Sequence, residues 1–161
     1  LIPSVNPAHK NIPGNISYQD RFTMLQLAAE AIDFLEVKDT IDHHKPVARS
    51  IDILDWVHQN YELTDKPGLV IGDDLFEGFR HWNDPEAILT KAELLIAHRL
   101  YPHKVKSPFP HRYLDNRIYP VSSSEIRERI FDGRSIRYLV PPAVEEYIRQ
   151  KGFYTGFSGE S

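Results

Sequence analysis

The sequence predicts an α/β fold, a parallel sheet covered by helices on both faces. Two features of the chain point to it. Short apolar runs alternate with segments of helical periodicity, the pattern of repeated βαβ units. Two of the runs, GLVIGDD at 68–74 and ELLIAHR at 93–99, are nearly continuous in apolar character until they break, as strands buried on both faces are.

Taken in order, Leu1 to Pro3 reads as the tail of a strand, followed by the loop SVNPAHKNIPGN. Ser17 can cap a helix, with Asp20 three residues on, and Phe22, Leu25, Ala29 and Ile32 give that helix an apolar stripe. FLEVKDTID at 34–42 reads as a strand. Ser50 can cap the next helix, whose Ile51, Leu54, Val57 and His58 face one way. Asp84-Pro85 is a cap followed by proline at the first helical position. RIYPV at 117–121 reads as a strand running into three serines. Pro141-Pro142 open a last helix, closed by Gly152. In parallel sheets ligands bind beyond the carboxyl ends of the strands. That places the loops after Pro3, Ile71, Ala97 and Val121 at the expected binding edge.

Composition narrows the function. The 161 residues are 41% hydrophobic and 26% charged, enough for one domain with a sizeable core. The net charge of −4 argues against a sequence-independent grip on nucleic acid, which needs a surplus of Lys and Arg. No apolar run is long enough to span a bilayer, and no signal-peptide pattern opens the chain. Cysteine is absent, which removes disulfides, thiolate zinc sites and Cys nucleophiles and is compatible with a cytoplasmic setting. The eight histidines do not recur at the helical spacing of a metal site, so no protein-held metal is expected. The Gly- and Ser-rich TGFSGES at 155–161 reads as a flexible tail.

The chemistry gathers at YPVSSSEIRERI, 119–130. Ser122 and Glu125 fit a capping box, which makes Ser123 and Ser124 the first helical residues. Their N–H groups lack partners within the helix and, with the helix dipole, favour an anion. Arg127 lies on their face, and Ile126 and Ile130 form an adjoining stripe that can pack on the sheet. Alone, this reads first as a well-capped helix with a solvent-facing arginine. Other strand-end loops offer matching groups: His9 and Lys10, then Gly72, where backbone can approach a ligand, then Asp73 or Asp74 for ribose hydroxyls. Trp82 can stack on a flat ring or plug the edge of the core.

Together, LIPSVNPAHK, VIGDD followed by a Trp, VSSSEIRERIFDG and LVPPAVEEYIRQKGFY resemble bacterial nicotinate-nucleotide adenylyltransferase over nearly the whole chain. The serine motif by itself also resembles related nucleotidyltransferases, including phosphopantetheine adenylyltransferase. The resemblance implies a Rossmann-like doubly wound sheet, residues 1–161 forming one nucleotidyltransferase domain. It implies transfer of the adenylyl group of ATP to nicotinate mononucleotide, with Mg2+ arriving on ATP. By position it assigns Ser122, Ser123, Ser124 and Arg127 to the ATP phosphates and His9 and Lys10 to the phosphate track. Gly72, Asp74 and Arg99 fall near the adenosine, Trp82 at the pyridine ring and Ser50 at the nicotinate carboxylate. Arg127, Lys10 and His9 are the expected catalytic groups, ATP and nicotinate mononucleotide the expected partners, with homo-oligomerisation left open.

The chain also departs from that pattern. Asn83 stands where a Tyr usually follows the Trp, Arg49 replaces the Tyr of S-Y-T, and Leu100-Tyr101 replace the Pro-Gly of an R-P-G turn. The family's H-x-G-H is absent from these residues. The expectation is that the first βα unit, which carries it, lies upstream of Leu1. The alternatives are a related enzyme acting on nicotinamide mononucleotide or phosphopantetheine, and a catalytically silent nucleotide-binding module.

Overall fold

The computed structural model describes residues 1–3, 16–39 and 49–155. The chain divides into two compact units, one of residues 1–47 and 121–161 and the other of residues 48–120.

The second unit carries a parallel sheet of three strands, β1 (Gly68–Gly72), β2 (Glu93–Ala97) and β3 (Arg112–Tyr113), in that spatial order. β1 and β2 pair from Gly68 against Glu93 to Gly72 against Ala97, so both end at one level. Helices α2 (Ser50–Asn60), α3 (Asp73–Phe76) and α4 (Pro85–Lys91) and a 3₁₀ turn at Phe79–His81 complete it. Leu54, Ile71, Phe76, Phe79, Ile88, Ala92, Leu94 and Ile96 form its core. β2 is the central strand among those described, and Leu94 and Ile96 are fully buried. β1 is parallel as expected, but Val70 is largely exposed, so among the described residues this strand is not buried on both faces.

The first unit is helical in its described residues: α1 (Tyr18–Ala29), α5 (Ser123–Phe131) and α6 (Pro142–Lys151). Its core is Ile126, Ile136, Val144 and Ile148, with Met24, Leu27, Ala28 and Ile130 packed against it. Ile126 and Ile130 therefore pack on α6 and α1 residues, where the sequence suggested a sheet. Of the expected α1 stripe, Ala29 is buried and Phe22 and Leu25 are half-buried, while Met24, Leu27 and Ala28 pack against this core. Ile32 lies beyond the end of that helix.

Three expected strands do not form among the described residues, residues 40–42 of the expected 34–42 strand lying outside them. Residues 34–39 are turn and extended chain, tied to Leu1 through the Lys38 N–H, 2.9 Å from the Leu1 carbonyl oxygen, and through the amino terminus to Glu36. Residues 1–3 are likewise extended without being a strand, and so are 117–121. The third strand falls earlier, at Arg112–Tyr113, after a loop that contains no helix. A strand exists only where a neighbour supplies ladder bonds, and local composition cannot reveal the neighbour.

Candidate active site

Two groups of candidate residues emerge, one in each unit. In the first unit, Ser122 is the cap of α5: its Oγ accepts the Glu125 N–H at 3.1 Å, which places Ser123 and Ser124 as the first helical residues. Both are exposed, and their N–H groups lead out of the helix mouth. Arg127 is one turn on, and its Nη2 donates to Ser124 Oγ at 3.0 Å. The guanidinium is thus held beside the Ser124 hydroxyl in the first turn of the helix, an arrangement suited to phosphate oxygens. Tyr154 packs against the same helical core, in a left-handed conformation with φ 62°. Burial pushes its phenol pKa up, opposed by the nearby positive charges of Arg127 and Arg21.

In the second unit, the equal lengths of β1 and β2 bring Asp73-Asp74 and His98-Arg99 out of adjacent strands at their carboxyl ends. Arg99 Nη1 pairs with Asp74 Oδ2 at 2.8 Å. Asp74 Oδ1 is buried and has no hydrogen-bond partner among the described residues. Gly72 permits this packing: a Cβ there would fall 2.3 Å from Asp74 Oδ1 and 3.3 Å from Arg99 Cδ. The need for glycine is close approach, since its φ of −72° is open to any residue.

Asp73 plays a different part. It is fully buried, and its two oxygens accept the Leu100 N–H at 2.9 Å and the Tyr101 N–H at 3.1 Å. Burial by itself would raise its pKa, but the N–H groups of Leu100, Tyr101, Arg99 and Asp74 outweigh that and hold the carboxyl below its ordinary value. Of the two aspartates the sequence left open, Asp74 is the one with an unused acceptor, and Asp73 is an anchor. The anchoring could not be read locally, because its partners lie 27 and 28 residues away.

Trp82 is half-buried and packs on the core, its ring 5.2 Å from that of Phe79. Ser50 is the first residue of α2 rather than its cap: Arg49 holds the cap position, and its N–H donates to Asp52. Ile51, next to Ser50, packs on the same core as Trp82. The expected contributions of His9 and Lys10 lie outside the described residues, as do 156–161 of the expected tail. Among the described residues no group of three His, Asp or Glu side chains could hold a metal ion, and no helix is long and apolar enough to cross a membrane.

Comparison with known proteins places these features in a family. The cytidylyltransferase-like family model matches residues 1–129. A protein of Borreliella burgdorferi named "probable nicotinate-nucleotide adenylyltransferase" is 43% identical over 96% of this chain and 79% of its own length. A protein of the same name from Dictyoglomus turgidum is 34% identical over 96% of this chain and 79% of its own. The fold is similar to that of Plasmodium falciparum nicotinic acid mononucleotide adenylyltransferase complexed with NaAD. The TM-score is 0.70 and the identity 18%, covering 95% of this chain and 80% of that one. The sheet is therefore that of a Rossmann-like nucleotidyltransferase, and the chain belongs to the cytidylyltransferase-like family and, within it, to the nicotinate-nucleotide adenylyltransferases.

Proposed function

We propose that the protein joins nicotinate mononucleotide to the AMP part of ATP in the cytoplasm, forming deamido-NAD and releasing pyrophosphate, and that residues 1–161 belong to one nucleotidyltransferase domain. The observation that carries this reading is the Arg127–Ser124 bond at the mouth of the Ser122-capped helix. It puts a planar cation and a hydroxyl together in the first turn of a helix, where N–H groups lack partners within the helix, which suits a departing pyrophosphate.

In the reaction an oxygen of the mononucleotide 5′-phosphate attacks the α-phosphorus of ATP in line. The new P–O bond forms as the bond from the α-phosphorus to the bridging oxygen breaks, and both bonding electrons leave with pyrophosphate. No proton need move, so the protein's contribution is positioning and charge neutralisation. Ser123, Ser124 and Arg127 would hold the β- and γ-phosphates, with Lys10 and His9 along the phosphate track. Gly72, Asp74 and Arg99 would hold the adenosine, Asp74 Oδ1 accepting from a ribose hydroxyl. Ser50 would meet the nicotinate carboxylate and Trp82 the pyridine ring. Mg2+ would arrive as a passenger on ATP, since it binds phosphate oxygens and keeps its waters with few protein ligands. Bound there, it would supply further neutralisation of the phosphate charge.

The test is pyrophosphate release from ATP with nicotinate mononucleotide, nicotinamide mononucleotide or phosphopantetheine as acceptor. The expected result is fastest release with nicotinate mononucleotide. Preference for either other acceptor, or ATP binding without any release, would replace this reading.

A further inference from the structure

We infer that Asp73 is a positioning residue for the nucleotide end of the site, its buried carboxylate fixing the 99–101 turn and thereby the place of Arg99. The inference rests on the reading of Asp74 and Arg99 as part of the ATP subsite. Two consecutive aspartates leave β1. The second meets the Arg99 side chain at 2.8 Å. The first meets the main chain just beyond Arg99, one N–H on each oxygen, at 2.9 and 3.1 Å. Arg99 is therefore located twice by neighbouring carboxylates, once through its guanidinium and once through the main chain of the two residues that follow it.

The rest of the turn closes around the same anchor. The Tyr101 hydroxyl donates to Glu77 at 3.0 Å, and the Tyr101 carbonyl lies 3.2 Å from His98 Nδ1. The His98 N–H and carbonyl are both bound by the Asn116 side chain at 2.8 Å, which fixes the start of the turn. A fully buried carboxylate is costly unless its oxygens are satisfied, so Asp73 holds whatever satisfies it.

The departure at Leu100-Tyr101 fits this device. In the family the sequence resembles, the turn reads R-P-G. Proline has no N–H and presets φ covalently, so a carboxylate could not anchor that position through a hydrogen bond. Leu100 supplies the missing donor, and a buried acceptor does what the proline ring would do.

The experiment measures steady-state pyrophosphate release and calorimetric ATP binding for the wild type and for Asp73→Asn, whose amide leaves one turn N–H facing a donor. The expected result is a rise of about tenfold or more in KM and Kd for ATP. kcat is expected within roughly threefold and KM for the mononucleotide unchanged, a split that general destabilisation would not produce. Asp73→Ala combined with Leu100→Pro and Tyr101→Gly, a turn independent of the acceptor, is expected to recover ATP affinity. It also serves if Asp73→Asn does not fold. Unchanged ATP affinity in Asp73→Asn, equal losses for both substrates, or no recovery in the triple variant would overturn the inference. A wild type that neither binds nor turns over ATP instead refutes the proposed function. Amide exchange at Leu100 and Tyr101 then decides the anchor: loss of their protection in Asp73→Asn supports it, and retained protection overturns it.

Discussion

Gly72 sets the tightest condition in the candidate site. Replacing it with Ala would put a methyl group 2.3 Å from the carboxylate oxygen of Asp74, nearer than side chains approach without moving. Asp74 would have to turn away and release Arg99. On the proposed assignment, Gly72→Ala is expected to lower kcat/KM for ATP about tenfold or more, roughly 1.4 kcal/mol, while leaving most of the stability intact. Steady-state kinetics beside a thermal melt check this. Asp74 Oδ1 is a buried acceptor without a partner among the described residues, a state that costs about 1–3 kcal/mol unless a ligand donates to it. Asp74→Asn is accordingly expected to weaken ATP binding measurably in calorimetry; unchanged affinity would remove the ribose contact from the reading. The importance of Gly72 was visible in its position at a strand end. Its cause was not, because the clash depends on the rotamer of a residue two places on and on Arg99.

At the scale of elements, the caps are what the sequence displays best, since a cap is made within four residues. Ser17 accepts the Asp20 N–H at 3.0 Å, Asp84 accepts that of Ala87 at 3.1 Å, and Ser122 caps α5 as its spacing with Glu125 implies. Ser122→Ala is expected to cost about 1 kcal/mol, seen as a lowered midpoint in denaturant. Gly152, at φ 64°, ends α6 where the sequence ends it. The strands show the opposite limit. Residues 34–39 and 117–121 carry strand-like composition and form no strand, the former making only its bonds to Leu1 among the described residues, whereas Arg112-Tyr113 carries little signal and pairs with β2. Ser50 was misread as a cap for a related reason: Arg49, an unusual cap, takes that place because Asp52 accepts its N–H at 3.1 Å.

The α1–α6 contact also depends on a carboxylate. Asp20 accepts the Ser17 hydroxyl and the Tyr147 hydroxyl, the latter at 2.9 Å, with Lys151 Nζ at 3.5 Å. These hydrogen bonds, that of Ser17 foremost, hold its pKa below the ordinary carboxylate value. A carboxyl with a depressed folded pKa contributes stability that is present above its unfolded pKa, about 3.9, and is lost as pH falls through the folded value. Asp73 has the same sign. Stability is therefore expected to fall steeply below about pH 4, and Asp20→Asn is expected to flatten part of that fall in melts taken between pH 7 and 3. A curve as steep as the wild type's would exclude Asp20 from the acid response.

Over the whole molecule, charge and chemistry diverge in an informative way. A chain of net charge −4 presents a cation and exposed helix-mouth donors together at Ser122–Arg127, so the proposed anion site is local rather than a property of the surface. The alternation of apolar runs and helical segments was enough to imply a parallel α/β sheet, and the order of four separated motifs was enough to imply the family. What stayed hidden was the long-range pairing of Asp73 with residues 100 and 101, which no local pattern encodes. The most direct measurement of the central claim is the rate of pyrophosphate release from ATP and nicotinate mononucleotide by the wild type and by Arg127→Ala. Losing one oriented, charge-assisted donor to the leaving group is expected to cost about 2–4 kcal/mol, a fall of roughly 30- to 1,000-fold in kcat/KM. A variant that turns over as fast as the wild type would contradict it.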